Sequence, residues 1–449
     1  MDSTKSILKS ASHFFSGTML SRISGAVRDI AMAFTFGTKE TVAAFFVAFR
    51  LAHLLRRLFG EGALQTAFVP KFEKIRQQSP KRAAQFFTSL YLILFLILIG
   101  ITAASVGILK SLIPILSAEN REIATLTIIM MPSLIFICLW GLNCSLLQCE
   151  KKFFLPSAAP VLFNAVWILG ALNIWYLQPQ NPMYWLAAAI VAASITQWIT
   201  TIPQTVSILK SWGMPPPSLC NPDIRTLSQP LLLGILGVAA VQINSALDPL
   251  FAKMANGEGP AFLWYAIRIQ QVPLALFGIA LSSALLPPLS RALENKEYEK
   301  YRKFLRYCLS RTLYLMIPCT LGLIFLGKWG ISLVYGHGHF TQESINSTNL
   351  CLSGYAVGLI PMALVLIYAP AFYAKNNYFI PSATSTFSVV MNIALNTLFV
   401  SYLGYGPASV AYATSLSAWA NFVLLALIFH LQPFYLNRFI FQAKIKNKI

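Results

Sequence analysis

Apolar stretches long enough to cross a bilayer recur along the whole chain, and they restrict what it can fold into. Segments 87–109 and 155–177 hold no charged residue, and each exceeds the roughly 20 residues that a helix needs to span about 30 Å of hydrocarbon. Charged residues make up 11% of the 449, under half of the roughly 25% usual in soluble domains. A water-soluble core of this length is therefore excluded. The first apolar stretch contains Arg22, Arg28 and Asp29 in its middle and lacks a short apolar core followed by a small-residue cleavage site, so it reads as a retained helix.

The net charge of +19 raises nucleic acid as a partner, but the basic residues are scattered with no compact basic domain, which excludes that class. Cysteines 138, 144, 149, 220, 308, 319 and 351 are odd in number and lie mostly in expected helices. They read as small packing residues, with neither a disulfide framework nor a metal site expected.

Apolar runs and breakers predict an all-α polytopic membrane protein of about twelve helices, near 7–37, 40–62, 84–112, 121–148, 155–177, 183–209, 226–254, 260–289, 304–334, 345–374, 378–402 and 408–431. Loops on one expected side carry Lys71, Lys74, Arg76, Lys81 and Arg82, then Lys151 and Lys152, Lys210 and Arg225, the run from Arg291 to Lys303, and Lys375. Opposite loops carry only Lys39, Arg121 and Lys253. This alternation is the positive-inside pattern for twelve helices with both termini in the cytoplasm.

Sliding the sequence by 218 positions superposes Ala48 on Ala266, Arg50 on Arg268, Phe59 on Phe277, Gly60 on Gly278 and Pro70 on Pro288. That offset equals six helices, so the repeat is parallel. The expected domains are an N-terminal six-helix lobe at 1–211, a linker at 212–225, a C-terminal six-helix lobe at 226–432 and a basic cytoplasmic tail at 433–449. Transporters built from such repeats hold their substrate between lobes and alternate access by rocking them.

The charges inside expected helices are the most informative residues. They are Arg22, Arg28 and Asp29 in the first helix, Arg50, Arg56, Arg57 and Glu61 in the second, Asp248 in the seventh and Arg268 in the eighth. Such residues normally face a watery cavity or a partner, although Arg56 and Arg57 could instead snorkel to the headgroups. Asp29 follows Arg28 directly, so helix geometry points it about 100° away, toward an arginine of another helix. Acids are fewer than arginines, which predicts a cationic cavity and an anionic substrate. The guanidinium fork matches phosphate oxygens.

The segments SRISGAVRD (21–29), AFTFG (33–37), AFFVAFRLAHLLRRLFGEGALQTAFVP (44–70), ALLPPLS (284–290), LVYGHGHF (333–340) and APAFYAKNN (369–377) resemble the MviN/MurJ family. The resemblance runs in order to about residue 430. It implies a flippase of the bacterial inner membrane that carries lipid II, a pyrophosphate-bearing peptidoglycan precursor. It also implies membership of the multidrug/oligosaccharidyl-lipid/polysaccharide exporter superfamily, with two six-helix lobes, and makes cell-wall synthesis proteins candidate partners. By motif position, Arg22, Arg28, Arg56 and Arg268 correspond to the family's cationic cavity residues. Arg50, Asp29, Glu61, Asp248 and Gln271 are secondary cavity candidates.

The chain departs from the family pattern at Leu51-Ala52-His53, where members usually read LPN. It also has Ala43 and Gln271 where acids are common. Members generally carry two further helices forming a groove for the lipid tail; the sequence here ends in QAKIKNKI after the twelfth helix.

No Walker-type loop, nucleophile–base pair or paired-carboxylate site is found, so the chain is expected to be no enzyme. It is expected to use no cofactor and to draw on the membrane potential or an ion gradient. His337 and His339 lie in an external turn without a third ligand nearby, so no metal is expected there. Two other readings stay open: a flippase for another isoprenoid-linked oligosaccharide, and a non-transporting scaffold of cell-wall synthesis.

Overall fold

A computed structural model describes residues 4–60, 63–219, 221–227, 242, 244–375 and 377–446. Among them the fold is helical throughout, with no strand. The chain forms two compact units, Met1–Ala246 with Tyr335–Thr341 and Leu247–Val334 with Gln342–Ile449.

The first unit contains α1 (Thr4–Phe36), α2 (Glu40–Ala52), α3 (Arg56–Phe59), α4 (Ala63–Gln78), α5 (Pro80–Leu112), α6 (Ala118–Met130), α7 (Ser133–Cys149), α8 (Phe154–Leu177), α9 (Pro182–Ser211) and the short α10 (Pro222–Arg225). The second contains α11 over 244–255, which begins at the unit boundary, then α12 (Gly259–Pro273), α13 (Ala280–Glu294), α14 (Tyr298–Tyr335), α15 (Gln342–Val357), α16 (Leu359–Tyr373), α17 (Phe379–Asn396) and α18 (Ala408–Lys446). π-helical turns occupy Leu274–Ile279 and Thr397–Tyr402. The helix of α18 runs on to Lys446, well past the expected end of the last span near 431.

Among the described residues, seven helical segments are long and apolar enough to cross a membrane, or eight if α6 and α7 form one span bent by 43°. These eight fall on the expected spans three to six and nine to twelve. The expected spans missing from the set are the first, second, seventh and eighth. α1 carries Arg22, Arg28 and Asp29, while α2 stops after 13 residues at a break over 53–55. Most of the expected seventh span lies outside the described residues. The eighth is divided by its π turn into two 15-residue helices.

The interruptions lie near matched positions of the sequence repeat without coinciding, since the break over 53–55 superposes on 271–273, which are still helical. Arg56, the first residue of α3, superposes under the 218-residue offset on Leu274, the first residue of the π turn. Irregular backbone at membrane depth persists only where protein buries it or a wet cavity adjoins it. The α-helix ends two residues after Arg50 and five residues after Arg268.

The basic segment after the second span is helical, where the sequence reading placed a loop. Leu64, Phe68, Phe72 and Ile75 are buried along one face of α4, and the Phe68 ring lies 5.0 Å from Phe72 and 5.8 Å from Phe86. Their i, i+4, i+8, i+11 spacing makes an amphipathic helix with Lys74 turned outward. Arg76 pairs with Glu73 at 2.7 Å and also with Glu150. Burial opposes its charge, but the two carboxylates outweigh burial and raise its pKa above the usual arginine value.

The stretch 212–225 is fastened to α5. Arg82 donates from Nε and Nη2 to the two oxygens of Asp223, both at 2.9 Å, and the Ser218 amide donates to Ser89 Oγ at 2.9 Å.

The turn containing His337 and His339 belongs to the first unit and packs on the end of α1. The His339 amide donates to the Phe34 carbonyl at 3.0 Å. Gly37 and Gly338 have φ of +65° and +63°, and a Cβ on either would meet the backbone of His339 or Phe34.

In the second unit, small residues bring α15 and α18 together. Ser415 donates to the Gly354 carbonyl at 2.6 Å, and a Cβ on Gly358 would lie 2.5 Å from Ser415 Oγ. Between α16 and α17, Lys375 Nζ lies 4.3 Å from the Phe429 ring centroid and 5.7 Å from that of Tyr301. Burial lowers its pKa, and the charge of Arg302 lowers it further.

Candidate substrate-binding site

In the first unit, Arg28 and Asp29 are both buried, at 8% and 3% exposure. Arg28 donates from Nε and Nη2 to Asp29 Oδ1, at 3.1 and 2.7 Å, and from Nη1 to Asn164 Oδ1 at 3.1 Å. Its guanidinium lies 4.5 Å from the Trp167 ring centroid, within cation–π range. Asn164 Nδ2 donates in turn to Ser24 Oγ at 2.8 Å. Asp29 was expected to point away from Arg28, toward an arginine of another helix; the structure shows that Arg28 of its own helix also reaches it. The two Cβ atoms do diverge around the helix, but the arginine side chain is long enough to fold back onto its neighbour.

The other arginines of this unit are placed differently. Arg22 is exposed on α1, and Arg56 is half-buried at the start of α3. Arg50 Nη1 donates to the Ser245 carbonyl at 3.0 Å, at the N-terminal end of α11. Glu61 and the side chain of Arg57 lie outside the described residues.

In the second unit, Arg268 is half-buried on α12, with its guanidinium 4.5 Å from the Trp264 ring centroid one turn back. Gln271, three residues on, is exposed. Asp248 belongs to a different neighbourhood and is 7% exposed. It accepts from Asn396 Nδ2 at 3.0 Å and from Thr414 Oγ1 at 3.3 Å, while Asn396 Nδ2 also reaches Asn392 Oδ1 at 2.9 Å. These partners bear hydroxyl and amide groups, the kind of donor that suits hard cations more than zinc. No group of three or more His, Cys, Asp and Glu side chains that could hold a metal occurs among the described residues.

The structure therefore divides the candidates into three sets. Arg28 and Asp29 form a neutralised buried pair, Arg22, Arg56 and Arg268 present cations on half-buried or exposed positions, and Asp248 is embedded in an amide and hydroxyl cluster. Sequence reasoning missed Asn164, Trp167, Asn392, Asn396 and Thr414. The asparagines carried a usable signal, since a carboxamide inside an apolar span needs an internal partner. Asn392 and Asn396, four residues apart, mark one face of their helix.

Two helical units with interrupted, charged spans define a multi-pass membrane transporter. A solved multidrug resistance MATE family transporter of the MOP superfamily, in an inward-facing conformation, shares this fold at a TM-score of 0.76. That match covers 95% of this chain and 99% of the other at 15% identity. The family is narrower. The profile of the family described as lipid II flippase MurJ matches residues 32–444. A probable lipid II flippase MurJ of Chlamydia muridarum is 35% identical over 431 residues, covering 94% of this chain and 78% of the relative. A solved lipid II flippase MurJ in an inward closed conformation superposes at a TM-score of 0.79 with 27% identity, over 93% of this chain and 87% of that one. This chain belongs to the lipid II flippase MurJ family.

Proposed function

We propose that this chain flips lipid II from the cytoplasmic to the outer leaflet of the bacterial inner membrane by alternating access. Both termini lie in the cytoplasm, as the basic loops require. The observation that carries the reading is where apolarity fails. The first, second and eighth expected spans, absent from the segments long and apolar enough to cross a membrane, hold Arg22, Arg28, Arg50, Arg56 and Arg268, and a membrane protein keeps such charges for a substrate or a wet path. Arg22, Arg56 and Arg268 bind the pyrophosphate, and Arg28 joins them when the anion displaces Asp29. Charge neutralisation then favours closure, and the lipid tail stays in the membrane throughout. The chain performs no covalent chemistry and needs no cofactor. The membrane potential or an ion gradient supplies the energy.

Cells depleted of their own flippase and supplied with this chain test the reading. Wild type restores externally accessible lipid II. Stably inserted Arg22→Ala and Arg268→Ala each lose a charge-assisted contact of about 1.5–3 kcal/mol and fall at least about tenfold in rate. Full activity in both variants would make the arginines structural and overturn the cationic mechanism.

A further inference from the structure

We infer that α7 is a rail that positions Arg56, with Ser133 and Gly141 as its two positioning residues. The inference rests on the reading of Arg56 as a pyrophosphate ligand.

Arg56 opens a helix of only four residues, Arg56–Phe59, after a turn over 53–55. A single helical turn has no stability of its own, because nucleation fixes several dihedral angles for one hydrogen bond. Whatever holds Arg56 in one orientation must come from tertiary contacts. The structure provides two, on either side of it, and both lead to α7.

On the N-terminal side stands His53, buried and within 4.2 Å of the Phe49 ring. Its Nδ1 lies 2.9 Å from the Phe49 carbonyl and its Nε2 lies 3.2 Å from Ser133 Oγ. Ser133 stands just after the break that separates α6 from α7. There the Leu134 amide turns to the Met131 carbonyl, and Ser133 Oγ donates to the Met130 carbonyl at 2.6 Å. One serine thus joins the broken second span to the broken fourth.

On the C-terminal side the backbones themselves meet. A Cβ on Gly141 would lie 2.6 Å from the Gly60 carbonyl carbon and 2.8 Å from its Cα. Only glycine at 141 leaves room for this approach. Gln65 Nε2 then donates to Gln148 Oε1 at 2.6 Å. The order 53, 60, 65 against 133, 141, 148 rises in both segments, so they run parallel. Ser133 and Gly141 are about 12 Å apart along α7 at 1.5 Å per residue. Arg56 lies between these two fixed points, which gives its guanidinium the preorganisation that anion binding rewards.

The test measures binding of a polyprenyl pyrophosphate, with the matching monophosphate for comparison, to the full chain in lipid nanodiscs. Ser133→Ala is expected to weaken pyrophosphate binding about fivefold and Gly141→Ala about tenfold. Ser133→Thr keeps the hydroxyl and binds as wild type. A residue that acts through Arg56 adds no further loss once Arg56 is gone, so Arg56→Ala combined with Ser133→Ala binds like Arg56→Ala alone. Losses that add in the double variant, or single variants that bind as wild type, overturn the rail. If Gly141→Ala fails to fold, the Ser133 series decides the question alone. If Arg56→Ala itself binds as tightly as wild type, the assignment of Arg56 to the pyrophosphate fails, and the positioning role fails with it.

Discussion

Arg28 turns back on its own neighbour: Nε and Nη2 both donate to Asp29 Oδ1, at 3.1 and 2.7 Å, while the guanidinium lies 4.5 Å from the Trp167 ring centroid. The two side chains are only 10% and 4% exposed, so little water competes for either charge. Removing Asp29 leaves the Arg28 charge buried without its carboxylate, which costs about 3–5 kcal/mol. Asp29→Ala is therefore expected to lower the stability of the detergent-solubilised protein by about 3 kcal/mol or more in thermal unfolding. The combined Arg28→Met and Asp29→Leu variant removes both charges and should recover most of that loss. Equal damage from the single and combined variants would show that burial of charge is not the source of the effect.

The turn that packs on the end of α1 predicts an unequal cost for three glycines of similar backbone. Gly37, Gly338 and Gly404 have φ of +65°, +63° and +66°. A Cβ on Gly37 would lie 3.0 Å from the His339 carbonyl carbon, and one on Gly338 would lie 3.0 Å from the Phe34 carbonyl carbon. Nothing lies within 4 Å of a Cβ on Gly404. Gly404→Ala should then cost only the left-handed strain, about 1 kcal/mol. Gly37→Ala and Gly338→Ala add a backbone clash, about 1–3 kcal/mol more. Thermal unfolding of the three variants side by side checks the ranking. Equal losses would remove the steric contribution.

Lys375 gives a pH dependence of definite sign. Burial, then the charge of Arg302, holds its pKa below the usual lysine value of 10.5. The folded protein thus resists a charge that the unfolded chain accepts freely, and wild type is penalised wherever lysine is protonated in both states. The penalty fades as pH rises through the folded pKa and vanishes above the unfolded value. Lys375→Met should accordingly unfold at a higher temperature than wild type near neutral pH. The gap should narrow as pH is raised toward 10.5. A gap that widens with pH would mean that contact with the Phe429 and Tyr301 rings outweighs desolvation.

Eight of the expected spans, and the charged residues within the others, were legible in the sequence, because hydrocarbon thickness sets a minimum apolar length. The matched arginines Arg50 and Arg268 were legible too, but not that the α-helix would end two residues beyond one and five beyond the other. Partner choice was decided only by tertiary structure. Residue spacing gives the direction of a Cβ, but the reach of a side chain such as Arg28 depends on what packs around it, here Asn164 and Trp167 from α8. Likewise, nothing in the local pattern of α2 or α7 announces that His53 will find Ser133 or that Gly60 will lie flush on Gly141. Those contacts join residues 80 or 81 positions apart, and they exist because two interrupted helices can satisfy freed backbone groups and pack closely only against each other.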